Sequence, residues 1–106
     1  MELEISEDMS LNRNHLQTIP ESIGNLKSLE LLYLNENELD FLPESMVNLT
    51  SLKELVLYSN KLTAIPNFIE DLPSLKRLSI FDNPLDKIIP RPKIIERLRA
   101  KGVHVS

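Results

Sequence analysis

The chain of 106 residues contains no cysteine and no tryptophan. The first absence excludes disulfides and thiolate metal sites. With only two tyrosines and three phenylalanines, any core must be filled mainly by aliphatic side chains. The only glycines are Gly24 and Gly102, so there is no glycine-rich loop to cradle a phosphate. No G-x-S-x-G nucleophile turn occurs. His15 and His104 stand far apart in the chain with no cysteine to join them, and no metal or other cofactor site is expected. No apolar run approaches the ~18 residues of a membrane span, and the acidic opening MELEISEDMS has no apolar leader segment. These absences suit a reducing compartment; a cytoplasmic location is expected, with secretion left open. A net charge of −4 argues against nucleic acid as a partner. The charge is polarised: residues 1–53 carry three basic and ten acidic side chains, and residues 54–106 carry nine basic and six acidic.

What the chain does contain is repetition. The stretch LYLNENELDFLPESM at 32–46 returns as LVLYSNKLTAIPNFI at 55–69, a shift of 23 residues. Leu11, Leu34, Leu57 and Ile80 share one column of this period. Leu16, Leu39, Leu62 and Leu85 share another, and Ile19, Leu42, Ile65 and Ile88 a third. Prolines at 20, 43 and 66 follow, then Ile23, Met46 and Ile69, then two further columns of leucine. A fixed period of this size indicates a stacked repeat architecture in which no unit buries its apolar face alone.

Each unit carries two rhythms. Around Leu32 and Leu34 the apolar step is two, as in a strand; along Leu42, Met46, Leu49 and Leu52 it is three or four, as in a helix or 3₁₀ turn. Strands of successive units must then lie parallel. Pro43 is expected at the first helical position, where a missing N–H costs little. The column Asn14, Asn37, Asn60 and Asn83 is read as structural: a buried asparagine needs partners, and its amide can satisfy the backbone groups released at the turn after each strand.

The pattern L-x-x-L-x-L-x-x-N-x-L, followed by x-x-[IL]-P-x-x-[IM]-x-x-L, resembles the leucine-rich repeat family, in its 23-residue class with LP or IP on the outer side. The resemblance runs over roughly residues 6–98. It implies an α/β fold: a right-handed solenoid of about four units, with a parallel concave β-sheet, short helical or 3₁₀ convex segments and a C-terminal capping helix. One domain over 1–106 is expected, with an N-terminal edge at 1–10, repeats at 11–88 and a cap at 89–106. In the cap, Ile94, Ile95 and Leu98 are expected to face inward and Gly102 to end the helix. Residues 103–105 are expected to form a last strand, with Val103 in the column of Ile80 and Lys101 in that of Leu78. Leu3 and Ile5 are expected to cover the first strand.

In such a fold the residues between the strand leucines face the concave side. These include Asp8, Ser10, Asn12 and Arg13, and Asn35, Ser59, Ser79 and Asp82 in later units. Tyr33, Val56, Tyr58 and Phe81 are expected to form an apolar diagonal flanked by Leu31, inside a charged rim of Glu36, Glu54, Arg77 and Asp82. An apolar centre within a polar rim is the anatomy of a protein contact. The expected function is non-enzymatic binding of a protein or peptide on this face. The alternative is a structural or self-associating segment of a longer array, joined end to end by an acidic end at Glu2, Glu4, Glu7 and Asp8 and a basic end from Lys87 to Lys101.

Overall fold

The step of two around Leu32 and Leu34 is used in strands only two or three residues long. The computed structural model describes residues 8–106. Its strands are β1 (Asp8–Ser10), β2 (Leu31–Tyr33), β3 (Glu54–Val56), β4 (Arg77–Ser79) and β5 (His104–Val105). They form one parallel sheet in sequence order. Met9, Leu32, Leu55 and Leu78 are successive register partners, so the 23-residue period is the pitch of the coil. Parallel crossovers of this kind are right-handed, which makes the chain a right-handed solenoid. The covering strand expected at Leu3 and Ile5, and the acidic cluster of Glu2, Glu4 and Glu7, lie outside the described residues.

The outer side of each turn is a five-residue 3₁₀ segment: Glu21–Asn25, Glu44–Asn48 and Asn67–Asp71. The prolines stand one residue earlier than expected. Pro20, Pro43 and Pro66 precede the segments in an extended conformation. Their carbonyls accept from the N–H groups of Ile23, Met46 and Ile69 at 3.1, 3.1 and 3.2 Å. Those three apolar side chains, and the leucines three and six residues on, are buried with the strand leucines in one aliphatic core. Adjacent outer turns are tied by Ser45 Oγ donating to Glu21 O and Ser74 Oγ to Thr50 O, both at 2.7 Å. At Gly24 the first two turns meet backbone to backbone: a methyl group there would overlap the Ser45 carbonyl.

Three asparagines behave as a ladder. Asn60 accepts from Leu39 N–H at 3.1 Å and donates to Leu34 O and Leu57 O, both at 2.9 Å. Asn37 and Asn83 repeat this bonding one turn to either side. Asn14 does not. It is exposed and its side-chain amide donates only to Asn12 O at 3.0 Å, while its backbone N–H donates to Asn37 Oδ1 at 2.9 Å, because β1 has no earlier strand beside it among the described residues and so no carbonyl there to receive its amide.

The C-terminal cap departs from the period. Helix α1 (Lys93–Ala100) buries Ile94, Ile95 and Leu98, and Gly102 ends it at φ +90°. Val105, not Lys101, pairs with Leu78, so this unit is longer than 23 residues. The reason is that eight α-helical residues replace the usual five-residue 3₁₀ segment. Lys101 is exposed, with its ammonium donating to Glu70 O at 3.1 Å. The edge of the sheet is finished instead by Arg99, whose Nη2 donates to Val105 O at 3.0 Å. Ile88 also leaves its column: Leu42 and Ile65 are buried but Ile88 is 44% exposed, because residues 84–87 form a 3₁₀ turn of their own.

Glu70 fastens α1 to the preceding turn. Its Oε1 accepts from Arg97 Nε at 2.8 Å and Nη2 at 2.6 Å. The hydrogen bond from Arg97 holds the Glu70 carboxyl below its ordinary pKa, helped by the positive charges of Arg97 and Lys101. A depressed carboxyl contributes stability above its unfolded pKa and loses it as pH falls through the folded one. Glu70→Gln is therefore expected to lower the urea midpoint at neutral pH, with wild type and variant converging in acid. A gap that stays constant across that range would rule out the linkage.

Candidate protein-binding face

The face of the sheet turned away from the core is built in rows running across the strands. Leu31, Glu54, Arg77 and His104 are register partners in one row, and Ser10, Tyr33, Val56 and Ser79 in the next. Two residues beyond the strands comes a row of Asn12, Asn35, Tyr58 and Phe81. This row is joined by side chains. Asn35 Nδ2 donates to Tyr58 OH at 3.0 Å, and the Tyr58 and Phe81 rings stack with centroids 4.6 Å apart and planes 5° from parallel. Such a pair contributes about 0.5–1.5 kcal/mol beyond its buried area. Phe81 remains 47% exposed.

The next row bends the chain inward toward the asparagine ladder. Arg13, Glu36, Ser59 and Asp82 all have positive φ, between 56° and 59°. None is glycine, so each carries a backbone cost of about 1–2 kcal/mol. Their side chains interact in pairs. Arg13 Nε donates to Glu36 Oε2 at 2.5 Å, and Ser59 Oγ to Asp82 Oδ2 at 2.6 Å. Glu36 holds the Arg13 guanidinium above its ordinary pKa through this hydrogen bond and its charge.

The apolar diagonal expected from the sequence is therefore only partly present. Tyr58 and Phe81 are brought together, and Leu31 and Tyr33 lie half-buried beside them. Val56 is not an anchor: it is 6% exposed. Its short branched side chain lies between Tyr33, its register partner, and Tyr58, two residues on, and both rings stand taller. Of the rim, Glu54 and Arg77 face one another on adjacent strands, with neither in an ion pair among the described residues, whereas Glu36 is engaged by Arg13. Asn35, placed on the surface by the sequence pattern, is 5% exposed and fixes the Tyr58 hydroxyl. Its signal in the sequence is a polar residue 23 positions before a tyrosine.

The sequence model of the family described as a leucine-rich repeat region matches residues 8–100. Among solved structures, a leucine-rich repeat protein of Leptospira interrogans superposes with a TM-score of 0.81 at 34% identity, covering 93% of this chain. This chain spans 24% of that protein's length. No curated protein matches the sequence. A coil of short parallel strands, a buried asparagine ladder and a family match over most of its length lead to one assignment: the chain belongs to the leucine-rich repeat family.

Proposed function

We propose that the chain is a non-enzymatic recognition module that holds a protein or peptide across the open face of its sheet. The observation that carries this reading is the Tyr58–Phe81 stack. One ring is fixed from behind by Asn35, and the other presents nearly half its surface to solvent on a face the core does not require. A rigid aromatic platform bordered by Glu54 and Arg77 suits an apolar side chain of a partner at its centre and polar groups around it. The leucine-rich repeat family, a class of protein-interaction modules, supports the same reading at a coarser level.

Phe81 is the cleaner probe, since truncating Tyr58 also removes the partner of Asn35. Peptides selected on the wild-type chain from a random library are expected to bind Phe81→Ala more weakly by ~2 kcal/mol in calorimetric titration. The urea midpoint of that variant is expected to fall only by the lost ring stack, about 0.5–1.5 kcal/mol, with the fold retained. Equal affinity for both chains would remove this face as the site. A second reading, a segment of a longer repeat array, is favoured by the larger size of the similar Leptospira protein. It predicts that no selected peptide depends on Phe81 at all.

A further inference from the structure

Phe41, Ile88 and Ile89 are exposed large apolar side chains that lie off the sheet face. All three occupy the loops that leave the strands for the outer side. These loops stack on one another: Lys61 N–H donates to Leu39 O at 2.8 Å, and Leu85 N–H to Leu62 O at 3.0 Å. They form a strip along one edge of the solenoid, and the strip has two unlike halves.

In the first half, Phe41 and the half-buried Phe68 line a shallow depression with Ala64 and Pro66, bordered by Asp40 and Glu44. In the second half, one turn further on, Ile88 and Ile89 form a knob, 44% and 92% exposed. Lys87 precedes the knob and Arg91 and Lys93 follow it. The side chains of Asp40, Glu44, Lys87, Arg91 and Lys93 have no hydrogen-bond or ion-pair partner among the described residues. The strip thus pairs an acidic hollow with a basic knob of matching apolar character.

We propose that the occupant of this strip is a second copy of the chain, bound antiparallel about a two-fold axis. Ile89 of each copy seats in the Phe41–Phe68 depression of the other, and Lys87 and Arg91 meet Asp40 and Glu44. Only the antiparallel arrangement opposes unlike charges; a parallel one sets acid on acid and base on base. Because hollow and knob are neighbours on one strip, a single two-fold axis satisfies both contacts at once, and the association closes at the dimer. The patch is small, so the dimer is weak and exchanges readily. Phe41, Phe68, Ile88 and Ile89 lie apart from the sheet face, although Arg91 also borders the hollow beside Phe81; the inference does not rest on the recognition role proposed for that face.

Sedimentation equilibrium on the full chain, from ~10 µM to ~1 mM at low ionic strength, is expected to show a monomer–dimer equilibrium that weakens with added salt. Ile89→Glu is expected to raise the dimer Kd by ~10-fold or more without moving the urea midpoint, since Ile89 packs on nothing in the monomer. Lys87→Glu/Arg91→Glu and Asp40→Lys/Glu44→Lys should each abolish the dimer alone. Mixed one to one, they should restore it as a heterodimer, because both contacts then again oppose unlike charges. A monomer throughout the range, masses that grow past the dimer, or a mixture no more associated than its components would overturn the proposal. So would a dimer indifferent to Ile89→Glu.

Discussion

Asn60→Ala is expected to lower the stability of the fold by about 2–3 kcal/mol, since one buried backbone N–H loses its acceptor, at about 1–3 kcal/mol, and two buried carbonyls each lose one of their two donors. The N–H is that of Leu39, and the carbonyls are those of Leu34 and Leu57, which keep Asn37 and Asn83 as donors. None can turn to water, because Asn60 and the surrounding leucines are buried. A loss of this size is a large part of the ~5–15 kcal/mol that holds a domain together. Asn60→Asp should be worse still, because a carboxylate cannot donate to the two carbonyls. The same substitution at Asn14, one member of the same sequence column, should change stability by less than ~0.5 kcal/mol, as its side chain is exposed. Urea unfolding of the three variants measures the contrast. Equal losses at Asn14 and Asn60 would show that the ladder is not what holds the turns.

Leu55→Ala is the second large effect, about 4 kcal/mol for a fully buried leucine whose site cannot collapse. Leu55 is 0% exposed in β3, which is paired on both sides. In a stacked array each unit touches only its neighbours, so damage at the centre leaves two short pieces, neither with the strands and core to persist alone. The loss should therefore be global. Hydrogen exchange is expected to show amides of all five strands losing protection together. Val105→Ala, at the last strand, should instead loosen β5 and α1 first. Protection lost only near β3 in Leu55→Ala would mean that the units unfold separately.

The core was legible in the sequence because it follows a period. The leucine columns through Leu34, Leu57 and Leu39, the outer apolar residues Ile23, Met46 and Ile69, and the inward face of α1 all emerged where the spacing placed them. What the period does not carry was read less well. Val56 occupies a surface row, yet its exposure depends on the size of Tyr33 and Tyr58 beside it. Asn14 belongs to the ladder by position but lacks a preceding turn. The register of β5 depends on an α-helix taking more residues than a 3₁₀ turn, which no column encodes. The left-handed row at 13, 36, 59 and 82 left no trace, because none of its residues is the glycine that usually marks such a conformation. The Tyr58–Phe81 stack was legible as neighbours, though not as a pair held by Asn35.

The backbone contact at Gly24 has a geometric consequence. Neighbouring strands in a sheet lie about 4.8 Å apart, and a coil bends only as far as its outer side is spaced more widely than its inner. Slender 3₁₀ turns, drawn together at Gly24 until main chain meets main chain, keep the outer spacing short over the first units. The thicker α1 widens it only at the far end. The close outer spacing limits how far the sheet can curve at the units that carry Leu31 and Tyr33, and α1 relaxes that limit near Phe81.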